Sequence, residues 1–176
     1  MAYKIQMIDC FAKDDVNLYD EIRELTTPCN ASYAERSRWL DETFFPGLKD
    51  GSRKIVIALD EAGKLAGVSL LKDAKEEKKI CCLFIRQDCR GHGIGGKLIQ
   101  KSLEALDTDK PLLTVSDRNY PQFAKLMKLH GFKFSYKKKG AYQENDTEYY
   151  FNNQATEILQ KEILAPLFAG SFRKKR

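Results

Sequence analysis

Between Arg90 and Lys97 the chain reads Arg90-Gly91-His92-Gly93-Ile94-Gly95-Gly96-Lys97, with four glycines in six positions between two cations. Glycine lets the backbone take positive φ and bring its amides up to a ligand with no Cβ in the way. Where such a turn opens a helix, successive N–H groups converge on one spot and the helix dipole adds partial positive charge there. That arrangement binds an anion, and Arg90 and Lys97 reinforce it. The apolar run ending in Leu83, Phe84 and Ile85 reads as a strand before the turn. Lys97, Leu98, Ile99, Leu103 and Leu106 read as an amphipathic helix after it.

Three patterns overlap in this turn. Gly91-x-Gly93-x-x-Gly96 fits the dinucleotide fingerprint, with Asp117 about 20 residues on. That fingerprint follows its strand directly, early in a parallel βαβ unit. Here the mostly polar Arg86 to Arg90 intervenes and two hairpin strands come first. Gly91-x4-Gly96-Lys97 fits the start of a phosphate-binding loop, but Leu98 stands where a hydroxyl residue would hold magnesium. The third pattern, Arg-Gly-x-Gly-x-Gly, is the pyrophosphate turn of acetyl-CoA-binding proteins, and Arg90 to Gly95 meets it in full.

The chain around this turn has 176 residues, 43% hydrophobic and 31% charged, the profile of one globular domain. No run approaches the length of a membrane span. Met1 to Cys10 lacks the basic and apolar regions of a signal peptide, so a cytoplasmic location is expected. The five cysteines lack the spacing of a zinc site, and Cys81 and Cys82 read as small apolar residues of a buried strand. No metal is expected. The net charge of +5 comes mostly from Lys137 to Lys139, read as a solvated edge, and Arg173 to Arg176, read as an unordered tail. Nucleic-acid binding is therefore not the primary reading.

The elements that must position the turn follow from periodicity. Tyr3 to Asp9 reads as a strand, and Asp14-Asp15 as the N-cap of a helix ended by Thr27-Pro28. Ser32 to Phe44 reads as a second helix stopped by Pro46-Gly47. Lys54 to Leu59 and Leu65 to Leu71 form a hairpin across Asp60 to Gly63. Lys75 to Lys79 is read as a charged turn, and Ile80 to Ile85 as a strand covered on both faces. Leu112 to Val115 is a short strand, Pro121 to Leu129 a helix closed by His130-Gly131, and Phe132 to Tyr142 with Glu148 to Phe151 the last two strands. Residues 1–153 form one mixed α/β (α+β) domain. Residues 154–176 form an amphipathic segment and basic tail, expected to pack on it.

This element order, with the full Arg90 to Gly95 pattern and the Leu129-His130-Gly131-Phe132 helix end, resembles the GNAT superfamily of acyl-CoA N-acyltransferases. The resemblance extends over most of the chain. It implies a mostly antiparallel sheet with helices on both faces and central strands that splay into a slot for coenzyme A. Acetyl-CoA is the implied cosubstrate. Leu83, Phe84 and Ile85 would hold pantetheine or polarise the thioester carbonyl. Arg90, Gly91, His92, Gly93, Ile94, Gly95, Gly96 and Lys97 would take the pyrophosphate. His92 either donates to phosphate or lies exposed, and Phe123 either faces the cofactor or packs the core.

The implied reaction is direct transfer of an acetyl group to a primary amine of a small molecule or peptide. The sequence departs from the family at both acid–base positions. Met127 aligns with a frequent tyrosine acid, and Cys81 and Cys82 stand where a carboxylate is common. Tyr142, at the end of a late strand, and Tyr120, at a helix start, are the replacement candidates. The family's acceptor wall corresponds to Tyr33, Glu35, Trp39, Asp41, Phe44 and Phe45, aromatics with carboxylates that suit a cationic amine. The alternatives are a non-catalytic acetyl-CoA-binding protein, motivated by Met127, and transfer to aminoacyl-tRNA, motivated by the basic runs. A monomer or homodimer is expected.

Overall fold

In the computed structural model, residues 4–8 and 16–153 are described. Their centre is a three-strand meander built from alternating apolar sequence. Strand β2 (Arg53–Leu59) turns at Asp60, whose carboxylate accepts from the amides of Ala62 and Lys64 at 3.0 and 2.9 Å, and returns as β3 (Leu65–Ala74). Strand β4 (Glu77–Ile85) follows after a two-residue turn. With β1 (Lys4–Ile8), β5 (Leu112–Ser116), β6 (Phe134–Lys139) and β7 (Thr147–Phe151) it completes a seven-stranded sheet of order β1-β2-β3-β4-β5-β7-β6. Every neighbouring pair is antiparallel except β4 with β5.

Both faces are covered, as expected. Helix α1 (Val16–Leu25) brings Tyr19 and Ile22 to one face, against Ile55, Ile57, Val68 and Leu70. Helices α3 (Ile94–Leu106) and α4 (Tyr120–Leu129) bring Leu98, Ile99, Leu106 and Met127 to the other, against Val56, Leu71, Ile80 and Leu113. Those fourteen residues are each at most 5% exposed, so this burial is the main source of stability.

The feature that matters for function is where the sheet comes apart. Strands β4 and β5 pair only at Lys79 with Leu112 and Ile80 with Leu113. The β3–β4 register then slips between Leu70, opposite Cys82, and Leu71, opposite Ile80, which leaves Cys81 as the extra residue of a β-bulge. Beyond the bulge the two strands diverge. The β5-side edge of residues 81–85 then faces a gap instead of a neighbour.

Four expectations need correction. The expected helix from Ser32 to Phe44 is not one helix but turns, a short α2 (Arg36–Trp39) and a π turn (Leu40–Phe44), followed by a 3-10 turn (Pro46–Leu48). The wider turn is closed by the Phe45 amide on the Leu40 carbonyl at 2.9 Å, and Leu40 and both consecutive phenylalanines lie in the core. Residues 77–79 belong to β4 and not to the preceding turn. Ile80 is buried, but Cys81 to Ile85 are only half-buried because the gap opens beside them. Strand β6 stops at Lys139, which places Tyr142 in the following loop, and α3 begins at Ile94, inside the glycine run. Lys137 to Lys139 do lie exposed on the sheet's edge strand, a placement that discourages edge pairing. The expected N-cap at Asp14-Asp15, the segment 154–176 and Arg173 to Arg176 lie outside the described residues.

Candidate active site

The gap between β4 and β5 opens into a cavity of about 950 Å³ that passes through the sheet. On the α3 side it is lined by Leu83, Ile85, Gly91, Gly93, Ile94 and Gly95, with Asn119, Gln122, Phe123 and Leu126 from the start and face of α4, and Arg90 lines it where the two sides meet. On the α1 side it is lined by Cys29, Tyr33, Glu35, Arg36 and Trp39 and by Lys79, Cys82 and Phe84 of β4. The backbone of residues 81–85 therefore stands between two chambers. Two ligands entering from opposite sides would meet along it.

The turn is shaped by two of its glycines and packed by a third. Gly91 and Gly93 have φ of 81° and 77°, a region where a side chain is strained. Gly93 is the N-cap of α3 and no side chain caps the helix, so its first amides have no intrahelical or side-chain partner. Gly95 serves contact instead: a Cβ there would sit 3.1 Å from Ile85 Cδ1 and 3.4 Å from Leu126. The approach to the turn is pinned by Arg86, which donates to Asp60 at 2.9 Å, to Asp88 at 2.7 Å and to the Leu65 carbonyl at 2.9 Å. Arg90 donates from Nε to the Ile85 carbonyl at 3.1 Å and lies over the Phe84 ring at 5.5 Å, which holds its charge at the cavity edge. His92, whose Nδ1 is 3.3 Å from the Cys89 carbonyl, Gly96 and exposed Lys97 are not among the lining residues.

The polar centre of the α1 side is one that sequence reasoning missed. Glu148 on β7 is 3% exposed and accepts from the Tyr33 hydroxyl at 2.9 Å; Thr114 on β5 also bonds its carboxylate. Burial raises the Glu148 carboxyl above its ordinary range. Burial and then the Glu148 charge push the Tyr33 phenol up, so Tyr33 stays protonated and donates. Tyr142 meets the Tyr33 ring edge-on at 5.1 Å, and its hydroxyl accepts from Lys79 Nζ at 3.4 Å. Tyr120 lies elsewhere, stacked on Tyr149 at 4.5 Å and outside the lining. Met127 is buried in the core, so α4 turns Phe123 and Leu126 to the cavity, and neither can donate a proton. Of the expected acceptor wall, Tyr33, Glu35 and Trp39 line the cavity. Phe44 and Phe45 are core, and Asp41 pairs with Arg23 at 2.7 Å.

The cysteines are more than filler. Cys29 and Cys82 share a hydrogen bond inside the cavity, with Arg36 also bonded to Cys82. The bond from Cys29 lowers the Cys82 thiol and raises that of Cys29, and the Arg36 charge lowers Cys82 further. Burial instead pushes Cys81 up to about 11. Iodoacetamide at pH 7.5 (about one unit below an ordinary thiol) should therefore label Cys82 ahead of Cys81, and acetyl-CoA should protect it. Peptide mass spectrometry reads the order, and equal labelling of the two would contradict it.

The family model described as an acetyltransferase (GNAT) domain matches residues 40–145. No curated protein matches the chain by sequence. Among solved structures, nourseothricin acetyltransferase is 19% identical with a TM-score of 0.53 over 58% of this chain. A candidate streptothricin acetyltransferase from Bacillus anthracis str. Ames, solved with acetyl coenzyme A, is 18% identical with a TM-score of 0.50 over 57% of this chain. The matches span 65% and 62% of those two chains. The ribosomal-protein-S18-alanine N-acetyltransferase of Escherichia coli is 13% identical with a TM-score of 0.64, covering 85% of this chain and 92% of that one. At these identities the likeness is one of fold. No described helix is long and apolar enough to cross a membrane.

Proposed function

Because the chain belongs to the GNAT acetyltransferase family, we propose that it transfers an acetyl group from acetyl-CoA to a primary amine of a small molecule or peptide. The observation that carries this reading is the cavity through the sheet, with the glycine turn and its uncapped helix amides at one end and half-buried Tyr33, which donates to buried Glu148 behind it, at the other. The residues present fit the cofactor. The uncapped first amides of α3 and Arg90 suit a pyrophosphate, and the unpaired β4 edge suits the amides of pantetheine. When bound, acetyl-CoA supplies an activated thioester carbonyl.

The protein's share of the reaction is positioning, charge stabilisation and proton removal. Backbone N–H groups near Leu83 to Ile85 donate to the oxygen that becomes negative as the amine attacks. The new C–N bond forms, the C–S bond breaks and sulfur leaves with the electron pair as a thiolate. The amine's proton passes to the Tyr33 oxygen as Tyr33 hands its own to Glu148. An ordinary thiol has a pKa near ~8.5, so the leaving thiolate needs no dedicated acid, and Met127 is no obstacle.

The test is release of free thiol from acetyl-CoA with a panel of amines, with the acetylated product identified by mass. Turnover with at least one amine is expected. Tight acetyl-CoA binding with no turnover on any amine would favour a binding protein. Binding to tRNA that falls steeply with salt would favour the nucleic-acid-bound amine as acceptor.

A further inference from the structure

Arg53, Lys72 and Lys79 lie far apart in the sequence, but the sheet register sets them side by side. Arg53 stands directly opposite Lys72 across β2–β3, and Lys72 directly opposite Lys79 across β3–β4. Directly opposed residues share a face of the sheet, so three cations form one row over three strands. All three line the cavity on its α1 side. Like charges directly opposite one another oppose folding unless something neutralises them. Lys72 pairs with Glu77 at 2.8 Å, but among the described residues no carboxylate pairs with Arg53 or Lys79. The Arg53 Nε–H is buried and has no hydrogen-bond partner, although its Nη1 donates to the Ser52 carbonyl at 2.8 Å. A buried guanidinium donor left unmade is costly, and an anion in the cavity would satisfy it.

We propose that the Arg53–Lys72–Lys79 row is an acceptor subsite for an anionic group, so that the amine acetylated by this protein also carries a carboxylate or phosphonate. The inference rests on the acetyl-transfer reading and names its substrate class. The row does not serve the cofactor's pyrophosphate: Lys79 and Ile85 are about 20 Å apart along an extended strand. The acceptor is then a zwitterion. Its ammonium meets Glu35 and the Tyr33 oxygen, behind which Glu148 accepts from the hydroxyl, and its anion meets the row. This narrows the expectation of a cationic amine held by aromatics and carboxylates to one that also carries an anionic group.

Trp39 is the chain's single tryptophan and lines the same cavity, so its fluorescence reports occupancy without requiring turnover. With coenzyme A present, the protein is titrated with β-alanine, 4-aminobutyrate and 2-aminoethylphosphonate. Their neutralised counterparts, β-alaninamide, 4-aminobutyramide and ethylamine, form the control set. Glycyl-aspartate against glycyl-asparagine separates a peptide source from a free amino acid. Saturable quenching is expected with anionic members, at least tenfold tighter than with their counterparts. Arg53→Met and Lys79→Met should each erase that preference at unchanged acetyl-CoA affinity, and Arg53→Lys and Lys79→Arg should restore part of it. Equal binding of charged and neutral members, no quenching by any anionic amine, or lost acetyl-CoA affinity in Arg53→Met would overturn the proposal. Anion-selective quenching without turnover on any amine would support the subsite and count against the transfer reading.

Discussion

Replacing Gly93 by valine is expected to weaken acetyl-CoA binding by about 100-fold or more, equivalent to ~2.7 kcal/mol, in a protein that still folds. No atom lies within 4 Å of a Cβ built at Gly93, so the substitution meets no clash in the unliganded protein. Its cost to folding is the φ of 77°, which a β-branched residue adopts only under strain of about 1–3 kcal/mol. Its cost to binding is larger. The new side chain stands at the N-cap of α3, in front of the amides that would take the pyrophosphate. Calorimetric titration with acetyl-CoA, beside a thermal melt, separates the two effects. Wild-type affinity in a folded Gly93→Val protein would place the cofactor elsewhere.

The second large effect is expected from Glu148→Gln. The amide keeps an oxygen to accept from Tyr33 but cannot take a proton, so kcat should fall by about 10²- to 10³-fold. Acetyl-CoA affinity should not change, because Glu148 lies on β7, away from the turn. In the wild type, kcat should rise with pH as the Glu148 carboxyl ionises through its raised pKa, and the variant should lose that limb. Stability gives an independent check on the sign. Since burial raises this carboxyl, its contribution to stability is full below the ordinary carboxylate range and drains away as pH rises through the raised value. Glutamine carries no such penalty. The variant should melt at or above the wild-type temperature at pH 7 while losing turnover. An unchanged kcat would remove Glu148 from the proton path.

The sheet and the turn were legible in the sequence because their signals are local. Alternating residues, the Asp60 turn and the glycine run each specify their own conformation, and the two flanking elements follow from periodicity. The segment from 32 to 48 was not, since the π turn that buries Leu40, Phe44 and Phe45 together is a tertiary outcome with no local code. Glu148 escaped for a related reason. In Thr147-Glu148-Tyr149-Tyr150-Phe151 a glutamate reads as the solvent side of an alternating strand, and only the pairing of β7 with β5 shows which side the cavity takes. The row of Arg53, Lys72 and Lys79 needs two strand registers at once, so no linear pattern marks it. The candidate acids Tyr142 and Tyr120 looked alike as residues. One reached the cavity and the other a stack on Tyr149, a difference set by where β6 ends and by how α4 packs on the sheet.

The central claim is that coenzyme A threads the gap between β4 and β5, pyrophosphate on the glycine turn and thiol toward Tyr33. A crystal structure with coenzyme A bound tests it most directly. The pyrophosphate oxygens should lie within hydrogen-bond distance of amides between Gly91 and Gly96. The sulfur should sit between residues 82–85 of β4 and Thr114–Val115 of β5, facing the α1 side. A cofactor bound outside that gap, or a thiol pointing away from Tyr33, would contradict the account.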